Sequence, residues 1–411
     1  MRPKRNKTKL RTRMLRSLPI TLVGTLIATT GFAGDMPSPE EMWLIIQKQQ
    51  QEIEALKRQQ AETNEAVEAT AEAVMEASTG EQGWWDSTSL GGYGELHYEG
   101  GDKDQLDFHR FVLFVAHEFN DRIRLFTEFE LEHALAGDDK PGEVELEQAY
   151  AEFDLTESAT ARTGIVLVPV GILNETHEPP TFYGVERNRV EKNIIPTTWW
   201  EGGAGLAYTT ANGFRLDGLI HGGLDVGNDF KIRGGRQKVA SSTLREPALT
   251  GRVRYTGMPG IELATTVQHQ FDITQDDPGD TKTSATLVEA HADIARSVGD
   301  GITAGLRGLY AYWNLEGAAA RALGRDEQYG WYIEPSLRFA TESGDIGLFG
   351  RYSEDDNTAG GGGDSKHGEF TVGANYWPHP DVVLKLDYVF EEPPSGKEAD
   401  DRLNLGFGFQ F

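Results

Sequence analysis

Cysteine is absent from the 411 residues, so the chain can build no disulfide framework and no thiolate metal site. Long apolar runs are missing as well. Mean hydropathy is −0.47, and no stretch reaches the roughly 18 residues that a spanning helix needs. This excludes a helical membrane domain. It leaves a membrane β-barrel open, because barrel strands alternate and give only a weak hydropathy signal. Positive charge is scarce: 39 Lys and Arg stand against 65 Asp and Glu, a formal net charge of −26. Residues 1–33 carry eight of the basic residues and no acid, so the remainder stands at −34. Such acidity argues against nucleic acid as a partner, and against a simple attraction to anions.

Catalytic patterns are missing too. Glu175-Thr176-His177-Glu178 lacks the helical His-Glu-x-x-His spacing of a zinc hydrolase. The acidic pairs Asp138-Asp139, Asp276-Asp277 and Asp355-Asp356 lack twelve-residue calcium-loop spacing. No nucleophile elbow is present. The sequence thus assigns no catalytic residue, no metal ligand and no cofactor, and the expectation is a protein that is not an enzyme.

Three materials follow one another along the chain. Residues 1–33 begin with Arg2, Lys4, Arg5, Lys7, Lys9, Arg11, Arg13 and Arg16, continue through an apolar stretch, and end at Gly31-Phe32-Ala33. That is the pattern of a secretory signal peptide, though its Arg-rich, acid-free start also suits a mitochondrial-type presequence. Residues 34–83 are expected to form a periplasmic coiled-coil helix and linker. Ile46, Ile53, Gln60, Val67 and Val74 recur every seven residues, and Gln49, Leu56, Thr63, Thr70 and Ala77 follow three later. A heptad seam this polar is marginal alone and gains sense if something else already holds the copies together; a lone surface helix or spacer is the other reading.

From residue 84 to residue 411 the period becomes two. Phe214, Leu216 and Ile220 alternate with Arg215, Asp217 and His221; Val382, Leu384, Leu386, Tyr388 and Phe390 alternate with Lys385 and Asp387. About sixteen such runs occur, within the range of outer-membrane barrels. Tight joints (Phe119–Arg122, Thr210–Gly213) alternate with long acidic or Gly-rich ones (Ala136–Gly142, Glu354–Lys366, Glu391–Arg402), the loop asymmetry of such barrels. Tyr98, Tyr312, Trp313, Tyr352, Tyr376 and Trp377 are expected in interfacial girdles. The fold expected is all-β: a transmembrane antiparallel β-barrel of about 16 strands, preceded by a short α-helical coiled coil.

One stretch refuses this pattern. Between Pro169 and Glu201, Pro179, Pro180 and Pro196 forbid a long helix or a central strand. The stretch carries Glu175, His177, Glu178, Arg187, Arg189, Glu191 and Lys192 beside Ile172, Leu173, Phe182, Tyr183, Ile194, Ile195, Trp199 and Trp200. It is too apolar for a floppy linker. We expect it to fold into the barrel mouth as a constriction loop (169–201) with charges of both signs, or to be pinned to the wall by those same charges. A second basic patch, Lys231, Arg233, Arg236 and Lys238, is expected either to collect anions or lipopolysaccharide phosphates at the mouth, or to be a solvated loop. The final alternation places Phe407, Phe409 and Phe411 on one face, a last strand that must close on the first because lipid satisfies no backbone group.

The stretch LVPVGILNETHEPPTFYGVERN…NIIPTTWWEGG, with the signal peptide, heptads, sixteen runs and terminal Phe, resembles the phosphate-selective porin O/P-like family over residues 40–411. The resemblance implies a homotrimeric bacterial outer-membrane channel, in contact with outer-membrane lipid and lipopolysaccharide, with loops folded into the lumen, basic residues along the ion path, and Phe407, Phe409 and Phe411 as the C-terminal barrel signal. It implies passive diffusion of small hydrophilic solutes or ions. The acidity of this chain departs from an anion-selective channel. One face of each strand, read as lumen, gives Arg110, Arg122, Arg124, Arg162, Arg215, Arg252, Arg254, Arg307, Arg338, Arg351 and Lys385. These form either a transverse field opposite carboxylates or cross-strand pairs that hold the wall. A structural role, an envelope tether acting through the coiled coil with a closed or plugged barrel, is the alternative function.

Overall fold

A computed structural model describes residues 83–411 apart from residue 103, residues 277–281 and residue 362. The expected signal peptide and coiled coil lie outside the described residues. Within them the two-residue period becomes sixteen strands: β1 Thr88–Gly100, β2 Gln105–Asn120, β3 Ile123–Glu132, β4 Val144–Asp154, β5 Ala159–Leu167, β6 Trp200–Thr209, β7 Phe214–His221, β8 Ala248–Met258, β9 Ile261–Gln270, β10 Ser284–Gly299, β11 Ile302–Glu316, β12 Glu327–Thr341, β13 Gly344–Asp356, β14 His367–His379, β15 Val382–Glu392 and β16 Arg402–Gln410. Each pairs antiparallel with its sequence neighbours, and β1 closes on β16. No strand edge is left open, which is what a lipid solvent requires of a sheet. The seam is sealed at its end by Phe411, whose N–H donates to the Gly92 carbonyl (2.9 Å) and whose carbonyl accepts from the Gly92 N–H (3.0 Å).

The alternation sorts side chains to two faces. Outward lie Leu206, Leu216, Ile220, Leu249, Val253, Leu263, Val267, Leu306, Leu337, Leu384, Leu386, Leu403, Leu405 and Phe407, all exposed. An apolar belt this large on an isolated chain is a surface made for a non-aqueous neighbour. Of the expected girdle residues, Tyr98, Tyr312, Tyr352 and Tyr376 are partly exposed. Trp313 and Trp377 are instead buried on the inner face, where their indole N–H groups donate to the carbonyls of Ile194 and Pro180. The expectation fails for these two because a period of two says which residues share a face but not which face meets lipid.

Joints at one end are tight: two residues between β2 and β3, two between β10 and β11. At the other end all but the four-residue β1–β2 joint are long, and the longest, residues 168–199, turns inward. Its apolar residues Val168, Val170, Ile172, Leu173, Phe182, Val190, Ile194, Ile195 and Trp199 are buried with Leu224, Phe230 and Ile232 of the β7–β8 joint against Leu287, Leu309, Trp313 and Tyr332 of the wall. The barrel therefore has a hydrophobic core on one side of its interior. Fully burying a side chain of this size contributes about 1.5–3 kcal/mol, so this shared core is a main hold on the loop.

Candidate functional site

The inward loop is fixed by hydrogen bonds as well as by apolar packing. Asn174 is its knot: its side-chain N–H₂ donates to the carbonyls of Val168 (2.8 Å) and Trp199 (3.0 Å), and its oxygen accepts from the Trp199 N–H (2.6 Å). The two ends of the loop are thus clasped before it leaves the wall. Glu191, in the α-helical turn of the loop (Val190–Asn193), is buried and accepts from the Ile172 N–H (2.9 Å), the Leu173 N–H (2.6 Å) and the Tyr332 hydroxyl (2.7 Å). It satisfies donors that burial would otherwise leave unpaired. Burial pushes the Glu191 carboxyl above its ordinary range, with the Tyr332 and backbone donors opposing.

The loop reaches the far wall. Asp387 of β15 accepts from the Val185 N–H (2.6 Å), Asn375 of β14 donates to the Phe182 carbonyl (3.2 Å), and Lys385 lies 3.5 Å above the Phe182 ring. Close approach is permitted by inward glycines. A Cβ at Gly408 would lie 2.3 Å from the Pro179 Cβ, and one at Gly347 2.6 Å from the Tyr183 ring, so neither strand position admits a larger residue without moving the loop.

The expected loop residues divide by task. Glu175 pairs with Arg252 of β8. His177, buried, faces Glu128 (3.4 Å) and Glu147 (3.7 Å) on β3 and β4. Arg189 pairs with Asp355 of β13 (2.8 Å). Glu178 is half-buried and has no ion pair among the described residues. Arg187 donates to the Thr198 hydroxyl (3.0 Å), and Lys192 is exposed. Glu191 is wholly enclosed, so it shapes the loop and does not line an opening.

On the wall, Arg110 is buried against Glu95 (2.6 Å), and Arg124 meets Glu152 (2.9 Å) and Asp154 (2.6 Å). Arg215 and Arg252 share Asp217 (2.8 and 2.9 Å). Arg254 approaches Glu262 (3.8 Å), Arg307 Asp293 (2.8 Å), Arg338 Asp345 (2.8 Å) and Arg351 Glu334 (3.0 Å). Arg162, on β5, stands opposite Glu152 in the register but makes no ion pair among the described residues. Arg122 departs from the expectation. It sits in the exposed β2–β3 turn and donates to the carbonyls of Asp154 (2.7 Å) and Leu155 (3.2 Å). Arg122 stands one residue outside β3, in a turn whose backbone has left the sheet, so strand alternation does not set its face.

The β7–β8 joint supplies what the sequence placed elsewhere. Arg233 donates to the carbonyls of Lys192 (2.7 Å) and Thr197 (3.2 Å), and Arg236 to that of Thr198 (2.9 Å). Both pack against the inward loop and line one cavity with Arg187. Burial, then the neighbouring Arg236 and Arg187 charges, pushes the Arg233 guanidinium down to about 10. Nitrogens of Arg187 and Arg236 are buried without a hydrogen-bond partner in the protein. The facing wall is acidic, with Glu132, Glu143 and Glu145 clustered within 4.8 Å. Lys238 bridges to Glu143 (2.7 Å) and Glu145, whereas Lys231 stays exposed beside Asp229 (3.7 Å). Basic loops and the acidic wall enclose a cavity of about 370 Å³ at the long-loop end. A second cavity, of about 220 Å³, shares Glu186, Arg187 and Lys192 with it. A third, of about 440 Å³, lies toward the short turns between Tyr183, Arg307, Arg338 and Trp377. Nothing in the sequence marked Arg233 as a neighbour of Arg187, because 46 residues and two strands separate them.

No family model matches this chain. A protein of Aquifex aeolicus (strain VF5), described only as an uncharacterized protein, is 29% identical over 353 residues, which cover 76% of this chain and 77% of the relative. Among solved structures, the anion-selective porin from Comamonas acidovorans superposes with a TM-score of 0.53 at 12% identity, covering 79% of this chain and 99% of the porin. The trimer form of OmpT, an outer membrane protein of Vibrio cholerae, gives a TM-score of 0.50 at 10% identity, covering 79% and 99%. At these identities the likeness is one of fold.

Proposed function

We propose that the chain is an outer-membrane porin of a Gram-negative bacterium: a passive diffusion channel for small hydrophilic solutes and ions. The observation that carries this reading is the segregated charge at the narrowed interior, with Arg187, Arg233 and Arg236 on the loops and Glu132, Glu143 and Glu145 on the wall. Fixed opposite charges across a narrow polar opening orient a passing dipole and bind it weakly, which is what conduction needs. The guanidiniums, always charged and planar, favour carboxylate- or phosphate-bearing solutes on their side. The apolar outer belt and the closed sheet support insertion in lipid. Solved barrels of the same fold include one described as an anion-selective porin and one described as a trimer, which supports an ion channel that assembles as a homotrimer. Transport of this kind involves no bond chemistry, and a non-enzymatic role follows from the reading. The tether alternative rests on residues 34–83, and no observation on the barrel favours it.

The deciding experiment is planar-bilayer conductance of the full chain in a KCl gradient. We expect stepwise openings, with Arg187→Glu and Arg233→Glu each shifting the reversal potential toward cations and Lys231→Glu leaving it within error. Folded protein that conducts nothing would overturn the channel. Equal shifts at Arg233 and Lys231 would remove the constriction.

A further inference from the structure

Three of the ten histidines of the chain meet at the long-loop mouth. His97 lies on β1, His109 on β2, and His133 directly after β3. A register shift between Glu95–Arg110 and His97–Asp107 is the reason two of them share a face. Extra residues in one strand re-aim a side chain that strict alternation would send outward. His97 and His109 then stack at 4.9 Å, and His109 meets His133 edge-on at 5.6 Å. His133 adopts a left-handed backbone (φ 53°), and its N–H donates to the His109 carbonyl (3.0 Å). This turn folds its imidazole back over β2.

We propose that Asp107, His109 and His133 form a binding site for a divalent transition-metal ion at the mouth of the barrel. Their ligand-capable atoms lie within 4.8 Å of one another. The His109 Nδ1–Asp107 Oδ2 separation is 3.4 Å, and that of His133 Nδ1 from the same oxygen is 2.6 Å. In a tetrahedral site with ligands about 2.0–2.1 Å from the metal, neighbouring ligand atoms stand about 3.3 Å apart. The triad is thus within a small side-chain rotation of that geometry. Two imidazoles and one carboxylate select zinc, copper or nickel over calcium and magnesium. All three side chains are partly exposed, between 19% and 29%, and His109 and His133 line the 370 Å³ cavity, so an ion reaches them from solvent. A second triad, His97, His109 and Glu186, shares His109. His97 is held there by Glu95 (3.1 Å) and Glu186 (2.7 Å), which fixes the ring stacked on His109 as a metal site's outer partners do. The carboxylate cluster nearby is already taken up by Lys238 and carries no such site.

The test is calorimetric titration of the full folded chain in detergent with ZnCl₂. Folding is checked by heat-modifiable migration on a gel. Binding is read without any current, so its failure is separable from failure of the channel reading. We expect one saturable equivalent that persists in excess MgCl₂, weakened at least about tenfold by His109→Ala and by Asp107→Asn. His269→Ala, at a histidine that hydrogen-bonds Thr286 elsewhere on the barrel, should bind as the parent does. Absent saturable binding, or binding that His109→Ala and Asp107→Asn leave unchanged, overturns the site. If the variants do not fold, the visible spectrum of Co²⁺ on the parent chain decides. Intense tetrahedral bands support the site, and the weak spectrum of the hydrated ion overturns it.

Discussion

Glu191 does at the scale of one residue what the whole loop depends on. It is the buried acceptor for two backbone N–H groups and one phenol, and a truncated partner leaves each of them unpaired at about 1–3 kcal/mol. Glu191→Ala is therefore expected to speed hydrogen exchange at Ile172 and Leu173 by more than tenfold while leaving strand amides protected. The same residue sets a pH dependence. Its folded carboxyl lies above the ordinary glutamate range because it is buried. The protonated form thus contributes stability that is fully present below the ordinary value and is lost as pH rises through the raised one. Protection of these two amides should fall, relative to a Glu191→Gln chain, as pH rises from the ordinary glutamate range through the raised one. A constant ratio between the two chains over that span would show that Glu191 is not the group responsible.

At the scale of elements, the loop and the wall are built by different rules. The wall is held by its own ladder, closed from β1 to β16. The loop is held by a core it shares with β10, β11 and β12 and by contacts to β13–β16. Removing residues 172–195 should therefore leave a folded, heat-modifiable barrel whose conductance rises several-fold and whose ion preference falls toward that of bulk KCl. A shortened chain that fails to fold would mean that the loop is needed to close the sheet. Most wall arginines have a carboxylate within 3.0 Å. Their charges are largely cancelled in place, and the less compensated guanidiniums on the loops are better placed to set the field.

At the scale of the whole molecule, the outer surface sets the surroundings the barrel requires. The apolar belt from β6 to β9 and from β11 to β16 exceeds what a water-soluble monomer exposes. On the proposed channel reading, lipid, or lipid together with two further copies, would cover it. Extraction in mild detergent followed by crosslinking should give a trimer that dissociates on heating, with residues 34–83 adding to its heat resistance through their heptads. A species that stays monomeric with and without that segment would retire the assembly.

The sequence by itself determined the strands, their number and the one joint that does not follow them. These are local facts: a period of two, prolines that bar helix and sheet, and short turns alternating with long ones. It also brought the charged residues of the loop to attention, since residues so polar and so aromatic in one joint need partners. Only the tertiary structure decided what each does. Glu191 is enclosed and Lys192 is open although they are adjacent, because successive residues of a helical turn stand about 100° apart and only Glu191 faces the Ile172 and Leu173 amides and Tyr332. Arg122 left the inner face at a turn, and Trp313 and Trp377 went inside to receive the loop. Arg233 and Arg236 joined Arg187, and His97, His109 and His133 met at the rim. Closing a sheet into a barrel sets side by side residues far apart in the chain, and a period carries no information about which of them will meet.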